Sequence, residues 1–184
     1  MPREKFEHDL HRLQDEILEL GAMAERAIAE SVQTLKDKDI RHAQGIIDAD
    51  RNINEKRYAI ENEALTLIAT QQPMAGDLRT LAAILEIASE LERMADYAKG
   101  IANVAVMIGP EGLIKPLVDI PRMASKACEA SSPSRIKFSS APKPAANCRR
   151  QRMLLALINS RFFWMKILLL NFWASRTSWT AARK

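Results

Sequence analysis

Glu92 and Asp96 stand four residues apart in Leu91–Ala102, a segment with helical periodicity and no proline. Residues i and i+4 on a helix lie one turn apart on the same face. Two carboxylates stacked in this way offer oxygen donors on one side, the kind of set that hard or borderline cations take from helical bundles. Their position relative to the apolar stripe fits that chemistry. With 100° per residue and Leu81 as origin, the stripe of Leu81, Ile84, Leu85, Ala88, Leu91, Ala95, Ala98 and Ala102 centres near about 320°. Glu92 and Asp96 fall near about 20° and 60°, on its margin, whereas Glu86 and Glu90 fall opposite it and read as solvated charges. A second reading of the pair needs no metal. Each carboxylate would instead pair with a cation of the bundle, such as Arg57 on the inner face of the preceding helix. Spacing alone leaves both readings open.

Other groups carry less. Glu4, His8 and His11 could present ligands on one helix, but the set is loose. Met23, Met74, Met94 and Met107 read as core filler rather than a binding surface. Tyr58 and Tyr97 read as edge residues with wet hydroxyls. There is no phosphate loop, no nucleophile elbow and no HExxH zinc-protease motif. A di-metal bundle enzyme would need a Glu-x-x-His pair on each of two helices, and no such pair exists. No enzyme is expected.

The elements that position the acidic pair are helices. Phe6, Leu10, Leu13, Ile17, Leu20, Ala24, Ala27 and Ser31 step by alternating fours and threes, an a/d seam. This predicts a first helix from about residue 3 to 35. Asp39 is placed to cap a second, over about 40–70, whose apolar face is Ile46, Ala49, Ile53, Ile60, Ala64, Leu67 and Ile68. Gln71-Gln72-Pro73 ends it, because the residue before proline is pushed out of the α region. A third helix spans about 74–108, with Asp77 near its positive end, and Gly109-Pro110-Glu111-Gly112 stops it. Helices of roughly 30 residues, about 45 Å long and joined by short loops, pack as an elongated antiparallel three-helix bundle. Leu117, Ile120, Met123, Ala124 and Ala127 then restart a helical pattern, the beginning of a fourth helix. The expected organisation is an all-α bundle over residues 3–108, a linker and helix start over 109–129, and an irregular basic tail over 130–184.

Composition separates bundle from tail. The chain has 184 residues and a formal net charge of +4. All 23 Asp and Glu lie in residues 1–129, while residues 130–184 hold 11 Lys and Arg and all three Trp. Two cysteines, Cys128 and Cys148, exclude a disulfide scaffold and favour a reducing compartment. The opening Met1-Pro2-Arg3-Glu4-Lys5-Phe6-Glu7 has no apolar core of a secretory signal, and none is expected.

Two blocks carry a family resemblance. Gln71-Gln72-Pro73-Met74-Ala75-Gly76-Asp77-Leu78-Arg79 is followed by Leu91-Glu92-Arg93-Met94-Ala95-Asp96-Tyr97-Ala98-Lys99-Gly100-Ile101-Ala102. Together they resemble the PhoU family of phosphate-transport regulators, which reads QP-x-A-x-DLR and then LERIGD-x-A-x-NIA. The likeness covers about residues 3–127. It implies tandem three-helix repeats, usually dimeric, in a cytoplasmic protein working at the membrane face. It implies restraint of the phosphate-starvation response through contact with a phosphate ABC transporter and its sensor histidine kinase. It also implies metal binding through a Glu-x-x-x-Asp motif, which here falls on Glu92 and Asp96. The expected cofactor is a divalent or iron-type ion of unspecified identity. Gly100 replaces the family's Asn, removing a polar neighbour of the pair, and Ala95 replaces the Gly before Asp96, which would crowd close helix packing. A full member needs a second repeat, and only its first line, Leu117 to Ala127, is recognisable.

The tail supports several readings. Residues 131–144 are rich in Ser, Pro and Lys and read as a linker. Residues 153–174 are apolar but include Arg161 and Lys166, which as central cations of a spanning helix cost about 5–7 kcal/mol. A basic interfacial helix with Phe162, Phe163, Trp164, Phe172 and Trp173 suits a membrane surface better. It would make the protein a membrane-tethered helical scaffold, the alternative to a phosphate regulator. Nucleic-acid binding ranks below both, and no nucleic-acid partner is expected. The favoured expectation is a shifted reading frame from about Ala130, since every carboxylate disappears at once inside a helical pattern.

Overall fold

The computed structural model describes residues 2–110, 116–131 and 136. The readings placed on the tail beyond Ser131 lie outside the described residues, as does the shifted frame. Four helices follow one another: α1 (Pro2–Asp37), α2 (Ile40–Gln71), α3 (Ala75–Ile108) and α4 (Asp119–Ser131). The three long helices agree with the expected bounds to within two residues. α1, α2 and α3 each pack against the other two, and α4 lies on α1. The described residues contain no strand.

Local chemistry explains the ends. The Asp39 carboxylate accepts a hydrogen bond from the His42 backbone N–H at 3.0 Å, satisfying one of the orphan donors at the start of α2. Removing it by Asp39→Ala should lower stability by about 1 kcal/mol, read from chemical denaturation. At the other end Gln72 takes a left-handed conformation (φ 45°) and its N–H closes onto the Ile68 carbonyl. Pro73 then prevents continuation. Gly109, with φ 66°, ends α3 in a conformation that favours glycine.

The core is a stack of seam residues. Leu13, Ile17, Leu20, Ile60, Leu81 and Ile84 are fully enclosed. Charged side chains flank the α1–α2 seam: Arg12 pairs with Glu63, and Lys56 with Glu19 at 2.7 Å and Glu16 at 3.7 Å. The partners run in opposite directions along the two helices, as an antiparallel pair requires.

Two seams differ from their expected course. On α1 the buried row passes through Ala24 to Ile28, Val32 and Leu35, while Leu10 and Ala27 are half-exposed. A straight helix drifts by about 20° per heptad from a strict seven-residue repeat, so the row moves over by one position late in the helix. Ser31 stays buried because it flanks the new row, and its hydroxyl donates to the Ile28 carbonyl. On α2 Ala49 is exposed and Asp50 takes the inward position. The methionines also divide. Met94 is core, Met23 is half-buried, and Met74 and Met107 are exposed, Met74 by 81%.

α4 begins two residues later than the expected restart, and Pro121 is accommodated in its first turn, where a missing N–H costs little. Its end rests on α1 where Gly21 permits close approach. A Cβ at Gly21 would meet the Ser131 carbonyl oxygen at 3.3 Å and the Ile136 Cδ1 at 3.4 Å.

Candidate functional site

Helical spacing sets the site. From Ile46, alternating steps of four and three lead through Asp50, Ile53, Arg57, Ile60, Ala64 and Leu67. Asp50 and Arg57 therefore interrupt an otherwise apolar seam, facing α3 at the level of Glu92 to Lys99. Asp50 is only 4% exposed, and it is the residue that the apolar reading of α2 missed. The signal was available, since continuing the same step pattern reaches Asp50 rather than Ala49.

The Asp50 carboxylate is held asymmetrically. Its Oδ2 accepts from the Lys99 ammonium at 2.7 Å and from the Asn54 side-chain amide at 3.0 Å. That amide also donates to the Asp50 backbone carbonyl, fixing the carboxylate against its own helix. Oδ1 is enclosed and has no hydrogen-bond partner. A buried carboxylate survives in a helical seam only with such compensation, because the uncompensated charge would be strongly destabilising. The hydrogen bond to Asp50 holds the Lys99 ammonium above its ordinary pKa, and the charges of Asp50, Asp96 and Glu92 add to this. A shallow groove opens here, lined by Ile47, Arg51, Asn54, Tyr58 and Lys99 around Asp50.

Glu92 is half-buried and Asp96 exposed. Burial pushes the Glu92 carboxyl above its ordinary pKa, and the negative charges of Asp96 and Asp50 push the same way. Arg57 and Arg93 oppose them without cancelling the effect. The sign has a consequence. A carboxyl whose folded pKa is raised contributes most to stability in acid, and that contribution is lost as pH rises through the folded value. Glu92→Gln should therefore be more stable than the parent at pH 7. The advantage should vanish in thermal melts below the ordinary glutamate range.

Arg57 behaves differently from a simple partner of the acidic pair. Its side chain is 16% exposed, and Nη1 bonds Glu61 at 2.7 Å on its own helix. Its guanidinium lies 4.0 Å over the Tyr58 ring centroid, and Nε is buried without a partner. Arg57 acts on Glu92 through its field. Glu90, expected to be solvated, is half-buried and pairs with Arg93 at 3.0 Å. Tyr58 is exposed, as an edge residue should be.

Glu4, His8 and His11 are all exposed, and the His8 ring lies 3.7 Å from Asp9. Ala95 is buried within the α3 seam, and a Cβ at Gly100 would meet nothing within 4 Å.

The donor chemistry along the α2–α3 seam suits a hard cation: Glu92 and Asp96 on α3, and across from them a buried carboxylate with one idle oxygen. The donors do not converge. Among the described residues, no three His, Cys, Asp or Glu side chains stand together closely enough to hold a metal ion. The buried Asp50 carboxylate is compensated by the ammonium of Lys99, and Arg57 brings a second cation to the same seam.

Comparison with known proteins assigns residues 17–105 to the family model described as the PhoU domain. The phosphate-specific transport system accessory protein PhoU homolog of Aquifex aeolicus is 31% identical over 73% of this chain and 61% of its own length. The homolog of Clostridium acetobutylicum is 38% identical, over 60% of this chain and 51% of that protein. The crystal structure of the phosphate transport system regulatory protein PhoU from Streptococcus pneumoniae superposes with a TM-score of 0.62 at 29% identity. It covers 68% of this chain and 59% of that one. The chain thus spans about half to three-fifths of the relatives it matches.

Proposed function

We propose, on the premise that residues 17–105 match the PhoU domain and that the bundle resembles a PhoU protein, that this chain is an accessory regulator of phosphate uptake and of the phosphate-starvation response. It acts by contact, as a helical surface docking on the cytoplasmic parts of a phosphate ABC transporter and on the associated sensor histidine kinase. The observation that carries this reading is the coincidence of a matching sequence domain with a matching three-helix bundle, in relatives named as accessory proteins of phosphate-specific transport. No helix among the described residues is long and apolar enough to cross a membrane. The working assembly is a homodimer in the cytoplasm.

Glu92 and Asp96 on α3 are the residues that would hold a divalent or iron-type ion, and because no third described side chain joins them, the ion's remaining ligands would come from water or a partner. Co-purification from membranes tests the contact. Tagged full-length chain should retain the transporter's nucleotide-binding subunit and the kinase after a wash at physiological ionic strength. Recovery no greater than from an unrelated helical bundle of equal charge would refute it.

A further inference from the structure

We propose that the outer groove between α2 and α3 docks an amphipathic helix of a partner protein, one with an apolar face over about three turns and Lys or Arg in the turn that follows. The proposal deepens the contact reading above, on which it rests, by naming the surface and the chemistry of what docks there.

The three grooves of the bundle differ. Between α1 and α2, Arg12 pairs with Glu63, and Lys56 with Glu16 and Glu19, so ion pairs bridge the helices. On α1, α4 is already seated, its Ser131 carbonyl over Gly21 and Leu91 of α3 close by. The bundle thus accepts a short helix in one of its grooves. Between α2 and α3 large apolar side chains stay open instead. Tyr58, Leu65, Met74 and Leu78 are exposed, and Ile68 and Leu85 are half-buried.

Helical spacing lines these side chains up. Leu78, Leu85, Glu92 and Lys99 are seven apart on α3, and Lys99 reaches Asp50, so this row borders α2. Arg51, Tyr58 and Leu65 are seven apart on α2, and the first two line the groove beside Lys99. The helices are antiparallel, so Tyr58 stands level with Glu92, and Leu65 with Leu85. Met74 closes the row at the turn. Leu78 to Asp96 spans about 27 Å, the length of a helix of about 18 residues. The surface is apolar from Met74 to Leu85 and acidic at Glu92 and Asp96.

Charge decides what fits. The neighbouring cations are engaged: Arg51 with Glu55, Arg57 with Glu61, Arg93 with Glu90 and Lys99 with Asp50. Glu92 and Asp96 have no ion pair among the described residues. A helix that lays apolar side chains into the groove gains from Lys or Arg at that level. Anionic lipid and nucleic acid are repelled there. A second copy would bring its own acidic surface, since residues 1–129 hold all 23 Asp and Glu.

The probe is a fluorescein-labelled helical peptide of about 18 residues, with Leu along one face of its first three turns and Lys in the turns that follow. The full-length chain is titrated in the presence of a chelator, so that Glu92 and Asp96 meet the peptide without metal. Anisotropy should show saturable binding, about tenfold tighter than for the same peptide with Glu in place of Lys. Leu65→Ser with Leu78→Ser should weaken the Lys peptide about tenfold. Both side chains are exposed, so circular dichroism should be unchanged. Ile40→Ser, at the other end of α2, should bind like the parent, and Asp96→Lys should cut the preference for Lys about fivefold. No saturable binding, equal binding of the two peptides, or equal loss in Ile40→Ser would overturn the proposal. So would a dimer that Leu65→Ser with Leu78→Ser dissociates, which gives the groove to a second copy. Binding to phosphatidylglycerol vesicles that the same variant abolishes would give it to a membrane and overturn the proposal too. The titration contains neither transporter nor kinase. Failure here beside successful co-purification removes the groove alone, and the reverse removes the phosphate-system partners alone.

Discussion

Truncation of Ile84 to alanine is expected to lower the unfolding free energy by about 2–5 kcal/mol, the range for deleting a fully enclosed aliphatic side chain. Ile84 has no exposed surface and sits in the α3 seam with Leu81, Ala88 and Leu91. α3 is packed against both α1 and α2, so the cavity would open in the face that α3 buries in the bundle. Long helices relax poorly around such a cavity, because shifting one residue displaces the whole rod. For a bundle of roughly this size the melting temperature should fall by about 10 °C or more. Leu65→Ala is the control: Leu65 lies on α2 but is exposed, and its truncation should change stability by no more than about 0.5 kcal/mol. Urea denaturation followed by circular dichroism distinguishes them. Equal losses would mean that the packing face of the bundle is wrongly assigned.

The second large effect concerns the polar interruption of the seam. Lys99→Met should destabilise the metal-free protein at pH 7 by about 3 kcal/mol, the lower end for stripping the partner from a buried charge. The lower end applies because the Lys99 side chain is itself 38% exposed, so water already weakens the pair in the parent. Asn54 remains as a donor to Oδ2 but brings no charge. Adding Asp50→Asn to the Lys99→Met protein should recover most of the loss, since the uncompensated carboxylate is then gone. The double-mutant cycle isolates the pair from unrelated packing changes. Additive single effects would show that Asp50 and Lys99 do not depend on one another.

Much of this arrangement is written in the order of residues. Asp39, Pro73 and Gly109 mark the helix ends because their chemistry acts over three or four neighbours, and local chemistry is legible locally. The seams were legible in kind but slipped in register. A strict seven-residue repeat cannot follow a straight helix over five turns, which is why Ile28 and Val32 displace Ala27 on α1. Asp50 escaped because an apolar face was sought by choosing apolar residues. The step pattern that reaches Arg57 passes through Asp50 as well, and only the position of Lys99 on a different helix shows why a carboxylate is tolerated there. The spacing set Glu92 beside the seam, where it is half-buried, while Asp96 is exposed, and how both lie relative to Asp50 depends on how α2 meets α3. No spacing within one helix contains that information.

The proposed function is restraint of the phosphate-starvation response by action on phosphate transport. The most direct measurement is a starvation-inducible alkaline phosphatase reporter in a bacterium whose own accessory protein has been deleted, grown in phosphate-rich medium with and without the full-length chain. The account predicts that the chain lowers reporter activity severalfold from its derepressed level. It also predicts weaker restraint by the Ile84→Ala protein, whose bundle is less stable. Reporter activity that stays fully derepressed with the folded chain present in the cells would contradict it.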